Sequence, residues 1–410
     1  MKNANLKIFE LLSPEYDRDN IKLGLSRIKK ALQELGDPCK YVPAIQIIGT
    51  NGKGSIAAYL ESILFEAKSN FGVTTSPHLL DVCERIRVNK KNINKTDFEK
   101  NYRLIEKKFS TFELTPFEKI ICCALNYFDN KKVELLILEA GLGGRLDATT
   151  AHKCRPIIAI GNIGLDHKEF LGDTIEKIAE EKLAVIEKNS IVISYKQNSQ
   201  VENLITKKVK EVGAEIVWKD SISNSYELGL KGIFQKQNAS VAVGAIEALN
   251  NLGFNIKEKH ISEGLKKTSW KGRLEMINYL NKEILVDCAH NYPAAKALSN
   301  ERSNWENEDK GIYWILGVQR QKDIHAILKT LLKKNDHLLL VPVPNQPSWQ
   351  LNDLSQIKEI DFQKIIEFKT FELAIEYLFS LEKWPPNHPV LTGSIFLVAE
   401  FIKFTNKQKC

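Results

Sequence analysis

A glycine-rich run with a lysine and a serine at its end follows a strongly apolar segment of the chain. The run is GTNGKGS at residues 49–55, directly after the segment AIQII at residues 44–48. Glycines let backbone N–H groups point at an anion, the lysine adds a positive charge, and a hydroxyl can hold Mg²⁺. Gly54 separates Lys53 from Ser55, so the match to the standard phosphate-loop pattern is incomplete. We predict a strand, a phosphate-binding turn and a helix, with a glycine-rich surface turn as the alternative.

Two further polar runs follow apolar segments in the same way. EAGLGGRLDAT at residues 139–149 follows the segment 135–138, and NIGLDH at residues 162–167 follows the segment 157–160. The Glu139 carboxylate suits Mg²⁺, and the planar guanidinium of Arg145 suits a carboxylate or a phosphate. Ligands of open α/β sheets bind where the strands end, so we expect both runs near the phosphate loop. A structural turn with a solvent-exposed Arg145–Asp147 pair, and a structural role for His167, are the alternatives.

These runs must be positioned by an alternation of apolar β-branched segments and amphipathic segments. The predicted strands are 135–138, 157–160, 191–194, 284–286, 313–316 and 338–341, and the predicted helices include 175–187, 239–252 and 323–333. Repeated strand–helix units predict an α/β fold with a mostly parallel sheet in each half. A boundary near residues 270–273, before a new strand at Glu275, predicts two domains, 1–273 and 274–410. The proline-rich segment 342–347 predicts a loop.

Composition narrows the class of protein. The chain has 410 residues, of which 43% are hydrophobic and 27% charged, a size that favours two domains. Residues 1–5 lack the apolar segment of a signal peptide, and no apolar run approaches the roughly 20 residues of a membrane span, so we expect a cytoplasmic protein. Seven cysteines without a C-x-x-C pair indicate reduced structural thiols. The net charge of +7 is spread over short lysine groups, which disfavours nucleic-acid binding.

Seven motifs occur in the order found in the folylpolyglutamate synthase/dihydrofolate synthase family, part of the superfamily of ATP-dependent muramyl-peptide ligases. The motifs lie at residues 49–55, 76–79, 139–149, 163–167, 270–275, 287–291 and 392–394. The resemblance extends from about residue 20 to residue 401. It implies an N-terminal P-loop NTPase-like domain that binds ATP and the pterin, and a smaller C-terminal Rossmann-like glutamate-ligase domain.

The resemblance implies roles for residues around the phosphate loop. Residues Asn51, Gly52, Lys53, Gly54 and Ser55 match the segment that holds the ATP phosphates, with Lys53 on the terminal phosphates and Ser55 near Mg²⁺. In the same family, residues matching Ser76 and Glu139 complete one Mg²⁺ site and a residue matching His167 belongs to a second. Lys182, in the run EKLAVIEK at residues 181–188, matches a lysine that is carbamylated and binds metal. A helical Glu–Lys surface is the alternative for this last run.

Other family matches concern the nucleotide and the C-terminal half. Asn238, in GIFQKQNA at residues 232–239, matches the residue that reads the adenine end, and Phe234 replaces the usual histidine. Arg273 and Asp287 match groups that reach ATP, with an interdomain salt bridge and a helix N-cap as their alternatives. His290, in the same motif as Asp287, is a candidate for binding the incoming glutamate or for guiding the reaction.

The resemblance also implies a substrate and a reaction. Thr115, Arg145 and Asp147 match the region that binds the pteroate end of the acceptor. ATP would convert a pteroate or folate carboxylate into an acyl phosphate, which the amine of L-glutamate attacks. We expect both dihydrofolate synthase and folylpolyglutamate synthase activity, with the latter alone, a muramyl-peptide-type ligase or a non-catalytic folate-binding relative as alternatives. ATP and Mg²⁺ are the expected cofactors, with a monovalent cation as a further candidate, and we expect a monomer without nucleic-acid or membrane partners.

Overall fold

The structure of the chain, a computed structural model, describes residues 21–304, 310–354 and 364–407. Cys410 and residues 1–5, which entered the cysteine and signal-peptide predictions, lie outside the described residues. The chain divides into two compact units: residues 1–229 with 234–269, and residues 230–233 with 270–410.

The first unit is built on an eight-stranded sheet. Its strands are β1 Ala44–Ile48, β2 Phe71–Thr74, β3 Ile86–Val88, β4 Lys91–Asn92, β5 Leu135–Glu139, β6 Ile157–Ile160, β7 Ile191–Tyr195 and β8 Glu215–Lys219. The strand order is β4-β3-β2-β5-β1-β6-β7-β8. Strands β2, β5, β1, β6, β7 and β8 are parallel, and only β3 and β4 add antiparallel pairs at one edge.

Helices cover both faces of this sheet, as a mostly parallel sheet requires. They are α1 Ser26–Glu34, α2 Lys53–Glu66, α3 Lys95–Lys108, α4 Pro116–Asn130, α5 Lys168–Leu171, α6 Ile175–Leu183, α7 Ser199–Val212, α8 Phe234–Asn251 and α9 Glu258–Lys266. Its core includes one hydrophobic cluster around α1, α3 and α4 and another around α6 and α7.

The central strand β1 lies between β5 and β6, and this places three loops side by side. All residues of β1, β5 and β6 are buried. The pairing continues past the strand ends, because Ala140 N–H donates to the Ile47 carbonyl and Gly161 N–H donates to the Ile48 carbonyl. The segments that begin at Gly49, Ala140 and Gly161 therefore leave the sheet at one edge.

The second unit contains a six-stranded sheet in the order β13-β12-β11-β14-β10-β9. Its strands are β9 Glu275–Tyr279, β10 Lys282–Val286, β11 Tyr313–Leu316, β12 His337–Leu340, β13 Lys364–Glu367 and β14 Val390–Thr392. Its helices are α10 Tyr292–Asn300, α11 Ile324–Leu331, α12 Phe371–Ser380 and α13 Ile395–Lys407. Only β9 is antiparallel to its neighbour, so the predicted α/β fold with mostly parallel sheets is confirmed.

Each predicted helix and strand is present in the structure, although the first or last residue differs for several of them. The helix predicted over residues 175–187 ends at Leu183. Val185 and Ile186 beyond it are 1% and 2% exposed and enter the core as irregular chain, which a helical pattern does not reveal. The segment 342–347 is a loop, as predicted. The predicted strands do not include β2, β3, β4, β8, β13 and β14.

The described cysteines form no disulfide, in agreement with the predicted reduced thiols. Burial raises the pKa of Cys39, Cys83, Cys122 and Cys288 to about 12, so these thiols are unreactive near neutral pH. Among the helices of the described ranges, none combines the length and apolar character that a membrane crossing needs.

Candidate active site

The predicted phosphate loop is a tight turn between β1 and α2. Gly49 and Gly52 adopt positive φ angles of 142° and 88°, which favour glycine. A Cβ on Gly49 would also lie 3.1 Å from backbone atoms of Gly161. Helix α2 begins at Lys53 and has no acidic residue in its first turn, so the positive end of its dipole is not offset there. The turn is therefore suited to an anion.

The side chain of Lys53 folds back over this turn. Its ammonium group donates hydrogen bonds to the carbonyl oxygens of Gly49 at 3.0 Å and Thr50 at 3.2 Å. The positive charge is thereby held at the N-terminal end of α2. The predicted contact of Lys53 with the terminal phosphates of ATP stays a prediction.

The segment after β6 supports the phosphate loop directly. The Thr50 hydroxyl donates to the Gly164 carbonyl at 2.9 Å, and Asn162 N–H donates to the Asn51 carbonyl at 3.1 Å. A Cβ on Gly161 would lie 2.6 Å from the Asn51 carbonyl oxygen, so a glycine is needed for this close approach. The structure thus brings together two runs that lie more than a hundred residues apart in the sequence.

Helix α8 supplies two amide side chains next to the loop. Gln235 donates to the Ser55 hydroxyl at 3.3 Å and accepts a hydrogen bond from Asn238 at 3.0 Å. The Asn238 side chain lies against Gly52, where a Cβ would collide with it. Sequence reasoning had singled out Asn238 but missed Gln235. The predicted contact of Asn238 with the adenine end of ATP stays a prediction.

Ser76 and Glu139 are neighbours beside the loop. Glu139, the last residue of β5, is 5% exposed and accepts a hydrogen bond from Ser76 N–H at 3.2 Å. The Ser76 hydroxyl is buried and has no hydrogen-bond partner in the described part of the chain. A buried carboxylate beside a buried hydroxyl without a partner fits a hard cation such as Mg²⁺, which prefers oxygen ligands.

Lys182, near the end of α6, points at the phosphate loop. It is 4% exposed, and its ammonium group donates to the Gly49 carbonyl at 3.0 Å. Burial, and next the positive charge of Lys53, lower the pKa of Lys182 to about 7, while Asp166 and Asp147 oppose this change. The lowered pKa favours the neutral amine of Lys182, which is the form that can react with CO₂. The alternative of an exposed helical surface at this position is wrong.

His167 directly precedes the short helix α5 and lies next to a buried acid. It has a positive φ of 49°, and its Nε2 is 3.7 Å from the Asp166 carboxylate. Asp166 is 8% exposed and acts electrostatically on Lys182. Asp166 is a site residue that sequence reasoning missed, although its carboxylate directly before His167 was a visible signal. In the described residues, no three or more His, Cys, Asp and Glu side chains cluster closely enough to hold a metal, so the predicted metal ligands depend on hydroxyl and lysine donors as well.

The glycine-rich run after Glu139 is organised by Asp147. This carboxylate is 4% exposed and accepts hydrogen bonds from Gly141 N–H and Leu142 N–H at 2.8 and 2.9 Å. It also accepts from the N–H and the hydroxyl of Thr149. Arg145 pairs with Glu181 at 2.7 Å, so the alternative of an exposed Arg145–Asp147 pair is wrong. Substrate binding by Arg145 and Asp147 stays a prediction.

Thr115 caps the helix α4. Its hydroxyl accepts from Glu118 N–H at 3.2 Å, and the Glu118 carboxylate accepts from Thr115 N–H at 2.8 Å. This reciprocal arrangement is a capping box, with Pro116 in the first turn. The Thr-x-x-Glu spacing is a visible signal of such a cap, and sequence reasoning missed it. Contact of Thr115 with the substrate stays a prediction.

In the second unit, Asp287 and His290 lie on the segment after β10. Asp287 is 6% exposed and accepts hydrogen bonds from Leu274 N–H at 3.1 Å and Ala289 N–H at 2.9 Å. Burial raises the pKa of Asp287, and the positive charge of Arg273 opposes this change. The N-cap of α10 is Asn291, so the alternative of a helix-capping role for Asp287 is wrong.

His290 has a defined proton arrangement when neutral. Its Nδ1 lies 2.8 Å from the Cys288 carbonyl oxygen, which can only accept a hydrogen bond. Nδ1 must therefore carry the proton, and Nε2 is the basic nitrogen of the neutral ring. This arrangement is compatible with either predicted role of His290.

Comparison with known protein families gives one match within each unit. Residues 47–191 match the family described as the Mur ligase middle domain. Residues 272–404 match the family described as the dihydrofolate synthetase C-terminal domain.

Full-length relatives agree with these matches. The chain is 31% identical to a probable dihydrofolate synthetase of Schizosaccharomyces pombe, over 94% of this chain and 98% of the relative. It is 30% identical to a dihydrofolate synthase/folylpolyglutamate synthase of Buchnera aphidicola subsp. Acyrthosiphon pisum, over 98% of each chain. A crystal structure of the bifunctional enzyme of Yersinia pestis, complexed with AMPPNP and Mn, superposes with a TM-score of 0.82 at 25% identity over 94% of each chain. The chain therefore belongs to the dihydrofolate synthase/folylpolyglutamate synthase family of ligases.

Proposed function

We propose that this protein is an ATP-dependent ligase that joins L-glutamate to the carboxylate of dihydropteroate and of reduced folates, forming ADP and phosphate. The observation that carries this proposal is the convergence of Lys53 and Lys182 on the Gly49 carbonyl of a phosphate loop. Family membership and the nucleotide complex of the Yersinia pestis relative support it.

The reaction has two displacement steps. An oxygen of the acceptor carboxylate attacks the γ-phosphorus of ATP, and the bond from that phosphorus to the β–γ bridging oxygen breaks to release ADP. The neutral amine of glutamate then attacks the acyl carbon, phosphate leaves, and the amine loses a proton. Lys53 and the loop amides would stabilise the charge on the moving phosphoryl group by their fixed positions. Nε2 of His290 is a candidate acceptor for the proton.

The residues beside the loop fit a divalent cation. Glu139 and Ser76 would hold one Mg²⁺ with Ser55, and His167 and a carbamate on Lys182 would hold a second. Bound Mg²⁺ would offset the negative charge of the phosphates. The lowered pKa of Lys182 supports carbamylation because it increases the neutral amine fraction. A monovalent cation stays a prediction.

The remaining assignments rest on the family resemblance. We assign ATP and pterin binding to residues 1–273 and the glutamate-ligase role to residues 274–410. Within them, Asn238, Arg273 and Asp287 would contact ATP, and Thr115, Arg145 and Asp147 would position the pteroate end. A monomeric state, a cytoplasmic location and the absence of nucleic-acid partners stay predictions.

A second candidate function is dihydrofolate synthase activity alone. Two observations favour it: the C-terminal match is to a dihydrofolate synthetase domain, and the Schizosaccharomyces pombe relative carries the same description. The two candidates share the ATP and metal residues, so they differ only in the acceptor.

Paired assays distinguish these candidates. Purified protein with MgATP and glutamate is supplied with dihydropteroate or with tetrahydrofolate, and ADP and the glutamylated product are quantified. Product from both acceptors supports the bifunctional enzyme, and product from dihydropteroate alone supports the second candidate. Absence of product from both, while a relative with known activity turns over in the same assay, would refute the ligase proposal.

A further inference from the structure

A chain of buried hydrogen bonds runs beneath the candidate site and starts at Arg155. The Arg155 side chain is 2% exposed and its only acidic partner among the described residues, Glu187, is 61% exposed and lies 2.7 Å away. One nitrogen of the guanidinium, Nη1, donates to Gln46 Oε1 at 2.6 Å and to the Val185 carbonyl at 3.1 Å. Neither Arg155 nor Gln46 belongs to the motifs that carry the family resemblance.

Arg155 fixes the orientation of the Gln46 amide. Arginine has only donors, so the Gln46 atom that faces it must be the oxygen. The Gln46 side chain, on the central strand β1 and 0% exposed, therefore turns its NH₂ group toward two hydroxyls. It donates to Thr149 Oγ1 at 3.0 Å and to Thr150 Oγ1 at 2.8 Å.

The two threonine hydroxyls must then donate elsewhere. Thr149 donates to the Asp147 carboxylate at 2.5 Å, and Thr150 donates to the Gly144 carbonyl at 2.8 Å. Asp147 in turn accepts from the N–H groups of Gly141 and Leu142. Donation thus runs from Arg155 to the Asp147 carboxylate, which also accepts from the backbone of the glycine-rich loop that follows Glu139.

Two other bonds of Arg155, to the Val185 carbonyl and to the Glu187 carboxylate, reach the segment after Lys182. The Val185 carbonyl, which accepts from Arg155, lies three residues beyond Lys182. Gly144 is packed against that segment, because a Cβ there would lie 2.6 Å from the Lys182 carbonyl oxygen. The buried guanidinium of Arg155 is therefore linked both to the loop after Glu139 and to the polypeptide segment that contains Lys182.

We propose that Arg155 and Gln46 are positioning residues of the ligase: through Thr149 and Asp147 they hold the glycine-rich loop beside Lys182 and Glu139. This role rests on the proposed function. Partners of groups that bind a metal orient those groups, and their loss commonly costs about 10- to 100-fold in affinity or activity. None of the residues in this network is among the predicted ATP contacts. Disruption of the network should therefore lower kcat more than it raises the KM for MgATP.

The substitution Gln46→Glu tests whether the direction of hydrogen-bond donation from Gln46 to the two threonines matters. Glutamate keeps the shape of Gln46 and strengthens the bond with Arg155, but it replaces the NH₂ donor by a second acceptor. The Thr149 and Thr150 hydroxyls then donate toward residue 46 instead of toward Asp147 and Gly144. We expect kcat to fall about 10- to 100-fold, with a melting temperature close to that of the wild type and faster hydrogen exchange at the Gly141 and Leu142 amides.

Two further variants make the test independent of folding failure. Thr149→Val removes the hydroxyl and should reproduce the loss of kcat and of amide protection, and Thr149→Ser should restore both. Glu187→Gln is the matched control, because it neutralises the exposed partner of Arg155 and leaves the bonds to Gln46 and Val185 in place. We expect wild-type kcat and exchange for Glu187→Gln.

Wild-type kcat and wild-type exchange in both Gln46→Glu and Thr149→Val would overturn the inference. A lower kcat with unchanged exchange at Gly141 and Leu142 would also overturn it, because the loss of turnover would then not arise from a change in the glycine-rich loop. The exchange experiment needs no substrate, so it shows whether the network holds the loop even if the wild-type protein fails the ligation assays, and the two failures are thereby distinguished.

Discussion

The ammonium groups of Lys53 and Lys182 donate hydrogen bonds to the same acceptor, the carbonyl oxygen of Gly49, each at 3.0 Å. The two lysines are also coupled by charge, since Lys53 contributes to the lowered pKa of Lys182. A change at one lysine is therefore expected to alter the protonation of the other.

Replacement of Lys53 by methionine should affect both turnover and Lys182. Loss of a fixed positive group at the transferring phosphoryl is expected to lower kcat about 10²- to 10³-fold. The pKa of Lys182 should rise from about 7, because one of the causes of its lowering is removed. ADP release and NMR titration of labelled lysine measure the two effects. Lys210→Met, at an exposed position of α7, is the control and should change neither kcat nor the pKa of Lys182. Full turnover in Lys53→Met would contradict the assignment of residues 49–55 as the phosphate loop.

Lys182 makes the stability of the protein depend on pH. Its pKa is about 7 in the folded chain against 10.5 ordinarily, so between these values the unfolded chain binds more protons and the free energy of unfolding rises with pH. Lys182→Met removes this dependence, and the variant should be more stable than the wild type at pH 7, by up to about 4 kcal/mol. The difference should shrink toward pH 10. Urea unfolding in carbonate-free buffer at the two pH values measures it, and an equal difference at both would show that Lys182 is not buried as described.

Ser76→Ala separates a metal ligand from a structural residue. The hydroxyl is buried and has no partner in the described residues, so its removal should leave the free energy of unfolding unchanged or higher. The Mg²⁺ concentration for half-maximal ligation should rise about 10-fold. Ser240→Ala is the control, because the buried Ser240 hydroxyl donates to the Gln237 carbonyl, and its loss should cost stability without changing the Mg²⁺ dependence. An unchanged Mg²⁺ dependence in Ser76→Ala would remove Ser76 from the metal site.

Thr115→Ala tests substrate contact against helix capping. Loss of the capping hydroxyl should lower the free energy of unfolding by about 1 kcal/mol. If Thr115 also positions the pteroate end, the KM for dihydropteroate should rise in Thr115→Ala and stay near the wild-type value in Thr115→Ser. Thr370, which caps α12, supplies the control: Thr370→Ala should lose similar stability without a change in KM. An unchanged KM in Thr115→Ala would leave Thr115 with its capping role alone.

Much of the fold follows from local patterns in the sequence. Buried parallel strands such as Ile157–Ile160 and Tyr313–Leu316 are short apolar runs between polar segments, and their predicted bounds match the structure. The turn at Gly49 and Gly52 is also local, because it needs glycine at positive φ followed by a helix. Less apolar elements such as β8, whose residues are mostly half-buried, carry a weaker pattern and were not predicted.

The amino-acid sequence alone determined the chemical types available: a phosphate loop, acids at strand ends, and a lysine in a family motif. Only the tertiary structure decided which of them meet, because the strand order places β1 between β5 and β6 and brings Lys182 to a carbonyl 133 residues away. The lowered pKa of Lys182 depends on burial and on charged neighbours such as Asp166 that its own segment does not contain. The hydrogen bonds that run from Arg155 through Gln46 to Asp147 likewise join residues that are remote in sequence. Such effects are set by the low dielectric and the fixed geometry of a packed interior, which no local pattern specifies.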